Sequence, residues 1–231
     1  MIIATQLIYS DDVPYRTGGD SLMRLQPGLG FRPLLTFMNN FIAYVPSDPQ
    51  TWLPFVTDIR TFLHNYEDFN TITQESVSAC DHGIKSSDDL NLPCKFELSQ
   101  LSPCVKEYNF GYDRNQPCII TKLNRIYGWL PDIENTTRSG QPLLRCYGRS
   151  EQDIDNLGPI HYYPNITTAD GEVLGYFDQL FYPYLVQVGY RSPLVAVQFL
   201  NPKRHVILMV TCQVENLKVK PERMKFEILV N

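Results

Sequence analysis

Apolar residues recur at steps of three and four from Trp52 through Phe55, Val56, Ile59, Phe62 and Leu63 to Tyr66, a period that predicts an amphipathic helix lying on a sheet. Ser47 or Asp48 supplies its cap and Pro49 suits its first turn, while Arg60 and His64 fall on the solvated face. Elsewhere the period drops to two, the signature of strands. The plainest case is Met224 to Val230, where Met224, Phe226, Ile228 and Val230 oppose Lys225, Glu227 and Leu229. Pro117 and Pro131 bracket another, with Ile120 and Ile126 on one face and Ile119, Thr121 and Leu123 on the other. Further strands are expected at Phe41 to Val45, Cys94 to Leu98, Leu143 to Tyr147, Ile160 to Tyr163, Gly175 to Tyr184, Leu194 to Leu200 and His205 to Val214. Many short strands and one helix predict a mainly β fold, an immunoglobulin-like antiparallel sandwich with the helix packed on the sheet.

The pattern also divides the chain. Met1 to Tyr9 is apolar but far short of the roughly 20 residues that span a bilayer, so it reads either as a strand or as the outer end of a membrane helix. Residues 10–33 turn to Gly, Pro, Asp and Ser without a period and read as an extended tether, leaving 34–231 as one domain. Within the tether, Gly19-Asp20-Ser21-Leu22 copies the nucleophile motif of a lipase and esterase family. It lacks the preceding hydrophobic strand, and none of His64, His82, His161 and His205 has an Asp three residues earlier, so hydrolase chemistry is unsupported. Gly28-Leu29-Gly30 opens no helix and is no phosphate loop.

With 231 residues, 43% of them hydrophobic, the chain can bury a substantial core. A net charge of −5 argues against a nucleic-acid binder. Cysteines at 80, 94, 104, 118, 146 and 212 show no zinc-type spacing and read as disulfides. Cys146 and Cys212 stand in strand-like runs, at a separation suited to a bridge between the two sheets of a sandwich. Proximity pairs Cys80 with Cys94 and Cys104 with Cys118, one of the fifteen formal connectivities of six cysteines. Two sequons, Asn135-Thr136-Thr137 and Asn165-Ile166-Thr167, agree with an oxidising, secretory compartment.

Glu151, Asp153, Asp155 and Asn156 form an acidic cluster that reads as a solvated loop, without the glycine pattern of a calcium loop. No His stands beside a carboxylate at a spacing that suggests acid–base work, and no catalytic, cofactor or metal residues are assigned. Aromatic residues crowd the run Tyr176, Phe177, Phe181, Tyr182, Pro183, Tyr184 and Tyr190. Alternation along a strand cannot turn all of them inward, so part of this run is expected to face a partner.

These residues resemble the β subunits of the sodium/potassium- and proton/potassium-transporting P-type ATPases. The matching stretches are Phe110-Gly111-Tyr112, Gln116 through Ile126, Tyr182-Pro183-Tyr184, Pro193 through Phe199, and Cys94-Lys95 with Leu101-Ser102-Pro103-Cys104. The resemblance implies a single-pass type II glycoprotein of the plasma membrane with an extracellular immunoglobulin-like domain, and disulfides paired in sequence order. By it, Met1 to Tyr9 becomes the outer end of the transmembrane helix. It also implies a non-catalytic role: helping the catalytic α subunit to fold, assemble and reach the plasma membrane, and modulating potassium affinity. The α-subunit contacts would lie at Tyr15, Phe181, Tyr182, Pro183 and Tyr184. A secreted adhesion or ligand-binding domain of the same fold is the alternative. The chain departs from the family at Val105-Lys106 after Cys104, and at Leu185-Val186 after Tyr184, where the family tends to have Tyr-Gly.

Overall fold

A computed structural model describes residues 9–10, 13–14, 26–35, 40–67, 92–219 and 223–231. In chain order the elements are β1 (Tyr9–Ser10), β2 (Val13–Pro14), β3 (Leu29–Arg32), β4 (Phe41–Tyr44), α1 (Pro49–Glu67), β5 (Cys118–Leu123), β6 (Leu143–Gly148), α2 (Glu151–Leu157), β7 (Ile160–Tyr163), β8 (Asn165–Thr167), β9 (Val173–Tyr176), β10 (Leu194–Phe199), β11 (Ile207–Glu215) and β12 (Met224–Val230). Among the described residues β1 pairs with β2 alone. The rest form a four-stranded sheet, β3-β5-β10-β7, and a six-stranded sheet, β4-β12-β11-β6-β9-β8.

The sheets share one apolar core. Phe226 of β12 stacks on Phe31 of β3 at 5.2 Å and meets Phe199 of β10 edge-on at 6.1 Å, so one ring joins both sheets. Gly175 lets the sheets approach closely: a Cβ there would stand 2.7 Å from Cγ1 of Val195. Helix α1 forms where its period predicts. The Asp48 side chain accepts the Gln50 N–H at 3.0 Å, and Trp52, Phe55, Val56, Ile59, Leu63 and Tyr66 are buried.

Several expectations need correction. β4 runs parallel to β12, so the six-stranded sheet is mixed and not purely antiparallel. The acidic cluster is helical: Ser150 and Asp153 form a reciprocal capping box at the start of α2, and Asp153 also accepts the Met209 N–H at 3.0 Å. Its carboxylate is engaged in holding the helix to β11. Leu29–Arg32, within the span read as tether, pairs with β5 because its backbone completes the edge of that sheet. Cys94 makes a lone bridge followed by a 3₁₀ turn at Leu98–Leu101, and the strand expected at Gly175–Tyr184 stops at Tyr176.

Among the described residues two disulfides close, Cys104–Cys118 and Cys146–Cys212. The second has the expected partners but not the expected place. Cys146 and Cys212 are directly opposed on neighbouring strands β6 and β11 of the same sheet, with Cα atoms 4.0 Å apart, so the bridge does not cross between sheets. It therefore lends no weight to the immunoglobulin-like description, and the fold stands as mainly β with two packed sheets. Cys80, the expected partner of Cys94, lies outside the described residues.

Charge on the six-stranded sheet is organised around Glu215, which accepts from Arg145 Nε at 2.8 Å and from Arg138 Nη1 at 3.1 Å. Both arginines also bind Glu172. Burial works to raise the Glu215 pKa, but hydrogen bonds from Gln213 and Arg145, with the arginine charge, overcome this and hold it below the usual range. The folded pKa is depressed, so the stabilisation is complete above the unfolded value of about 4.3 and is lost as pH falls through the folded value. Acid titration of unfolding midpoints should show this loss, and Glu215→Gln should flatten it; an unchanged profile would refute the assignment.

Candidate partner interface

The aromatic run folds into a braced corner. After β9, the Asp178 side chain accepts the Leu180 N–H at 2.9 Å and starts a 3₁₀ turn, Gln179–Phe181. Burial raises the Asp178 pKa. Phe181 packs edge-on against Phe96 at 6.0 Å. Tyr182 meets Trp129 edge-on at 5.2 Å, and Trp129 Nε1 donates to Gln26 Oε1 at 3.1 Å. Among the described residues the buried Tyr182 hydroxyl has no hydrogen-bond partner, and burial pushes its pKa well up.

The next residues form a loop held at several points. Tyr184 bridges to Tyr127, its carbonyl accepts the Gly128 N–H at 2.8 Å, and its ring lies 5.0 Å from that of Tyr190. Arg125 covers the Tyr184 ring, with Cζ 5.3 Å from its centroid. Gln187 clamps the turn from within: Oε1 accepts the Leu185 N–H at 2.8 Å and Nε2 donates to the Pro183 carbonyl at 3.1 Å.

Of the residues expected to face a partner, Phe181 and Tyr182 are only 7% and 8% exposed and Pro183 and Tyr184 are half-buried, so the first two act here as supports. Tyr15 lies outside the described residues. What the corner shows to solvent is Val186, 58% exposed, Val188, 76%, and Leu130, 58%. Sequence reasoning missed these three because they are single apolar residues in an irregular stretch, while the rings beside them carried the conspicuous signal.

Val186 is the informative one. Its φ is +62°, in the left-handed region that β-branched residues avoid. Glycine adopts this backbone shape freely, and here it carries Val. Held on a braced loop, this exposed apolar side chain has little backbone entropy left to lose. Val186→Gly should raise stability by about 1 kcal/mol through relief of that strain. A lower thermal midpoint in that variant would count against the assignment.

Both sequons open to solvent. Asn135 is exposed, and its Oδ1 accepts from the Thr137 hydroxyl at 2.7 Å, while exposed Asn165 in β8 donates to the Tyr162 carbonyl at 2.8 Å. Among the described residues, no helix is long and apolar enough to cross a membrane, and no group of three or more His, Cys, Asp or Glu side chains could hold a metal.

Comparison with known proteins is consistent across the chain. Residues 1–230 match the family model described as sodium/potassium ATPase beta chain. The chain is 33% identical to the sodium/potassium-transporting ATPase subunit beta-1 of Drosophila melanogaster, with 88% of this chain and 68% of that protein aligned. It is 29% identical to subunit beta-2 of the same organism over 95% of this chain and 75% of that protein. A probable subunit beta-3 of Caenorhabditis briggsae is 25% identical over 87% of this chain and 63% of that protein.

Proposed function

The chain belongs to the sodium/potassium ATPase β-chain family, and from that premise we propose that it serves as the non-catalytic β subunit of a sodium/potassium-transporting ATPase. The match over residues 1–230 carries the reading. In it, the chain helps the catalytic α subunit to fold, assemble and reach the plasma membrane, and modulates potassium affinity. The apolar stretch ahead of β1 is the outer end of a single type II membrane helix, the residues from there to β3 a tether, and the chain from β3 onward the extracellular immunoglobulin-like domain. Cys80–Cys94 is the third bridge, and Asn135 and Asn165 carry glycans. Each glycan should be seen as a mobility step lost on Asn→Gln substitution; an unchanged mobility removes that site.

The α-subunit contact is built from Pro183, Tyr184, Val186 and Val188 on the support of Phe181 and Tyr182, with Tyr15 on the tether. A domain resting there biases the pump between conformations only where its contacts differ between them. The test is co-purification in mild detergent. Val188→Asp should cut recovery of an α subunit about tenfold by burying an unpaired charge in the contact. Recovery equal to wild type would remove this patch. A wild-type chain that emerges with no ion-pumping partner would overturn the whole reading and favour a secreted adhesion domain.

A further inference from the structure

A cleft of about 280 Å³ opens where β5, the end of α1 and the segment leading into β10 meet, and its charge is one-sided. Lys122, Arg125 and Arg191 line it together with Asn65 and the rings of Phe62 and Tyr190. Among the described residues no carboxylate lines it, and none of these three cations takes part in an ion pair. Arg191 is fixed by backbone carbonyls alone: Nε donates to Asn65 at 2.6 Å and Nη1 to Tyr190 at 3.1 Å. That leaves further guanidinium donors free. Lys122 Nζ stands 5.4 Å from the Phe62 centroid, and Arg32 Cζ, from the next strand, stands 5.8 Å from the same ring.

Such a concentration of cations is unexpected in a chain of net charge −5. Lys122 is half-buried, and its pKa is lowered first by burial and then by Arg125 and Arg32. Desolvation and like-charge repulsion thus act together on this amine, with the Phe62 ring but no carboxylate of the ion-paired set beside it. Structural cations are normally placed beside carboxylates; here the aromatic walls and fixed guanidinium arrange positive charge around an open space. We propose that this cleft is a binding site for a compact oxyanion, a sulfate or phosphate group, either free or carried on a sugar whose ring lies against the aromatic walls. The proposal does not rest on the α-subunit reading, although Arg125 also covers the Tyr184 ring.

Equilibrium dialysis of radiolabelled sulfate against the full chain in mild detergent at low ionic strength tests it. One saturable site is expected, weakened about tenfold or more by Arg191→Gln and by Lys122→Met, since each removes a charge-assisted hydrogen bond. Arg125→Gln, at an exposed position, gives the same direction in a variant that leaves the core untouched, and thermal melts verify folding of all three. Displacement of the label by a sulfated monosaccharide at far lower concentration than by free sulfate assigns the anion to a glycan, whereas equal displacement assigns it to the free ion. Absence of saturable binding, or binding that all three substitutions leave unchanged, overturns the proposal.

Discussion

Replacing Cys146 and Cys212 together by alanine is expected to lower the unfolding free energy by about 4 kcal/mol. The bridge closes a loop with a sequence separation of 66, and that long constraint on the unfolded chain is what the substitution releases. Both residues are buried, so alanine avoids adding an unpaired hydroxyl. Denaturant titration should show a lower midpoint and a steeper slope, because the unbridged denatured chain exposes more surface. A loss below about 1 kcal/mol would mean that β6 and β11, already paired by backbone hydrogen bonds, keep one another's company in the denatured state as well.

Phe226→Ala should cost about 3–5 kcal/mol, the range for emptying a buried aromatic site. Its ring touches Phe31 and Phe199 of the opposite sheet, so the cavity opens where the sheets are joined and neither can collapse into it alone. Lys225→Ala, one residue away and facing solvent, should stay within about 0.5 kcal/mol. Similar losses at the two positions would mean that β12 is not held in the register seen here. The contrast also isolates the core from the exposed corner, since neither substitution touches Val186 or Val188.

How far the sequence disclosed this arrangement depended on how local the determining interactions are. The stripe of α1 and the alternation of β12 were legible because each burial pattern repeats within one element: Met224, Phe226, Ile228 and Val230 are buried, and Lys225 is not. β10 is buried at every position, Gln198 included, so its place beside β5 and β7 is one that no periodicity reveals. β3 was hidden among glycines and prolines because only its pairing with a distant strand makes it a strand. Cysteine spacing suggested who pairs with whom but carried no information on whether the partners share a sheet. The aromatic run was visible as a partner-facing candidate, yet which of its members turn inward was settled by Trp129 and Phe96, which lie far off in the chain.

Trp129 bears on one last point. The chain has two tryptophans; Trp52 is locked in α1 with its indole donating to the Pro46 carbonyl at 3.2 Å. Trp129 sits between Gln26, just ahead of β3, and Tyr182 at the root of the exposed loop. With Trp52 changed to Phe, the remaining indole becomes a single optical gauge at the joint between the incoming segment and that loop. Tugging on the one would register as a shift in emission colour before the rest of the molecule gave any sign.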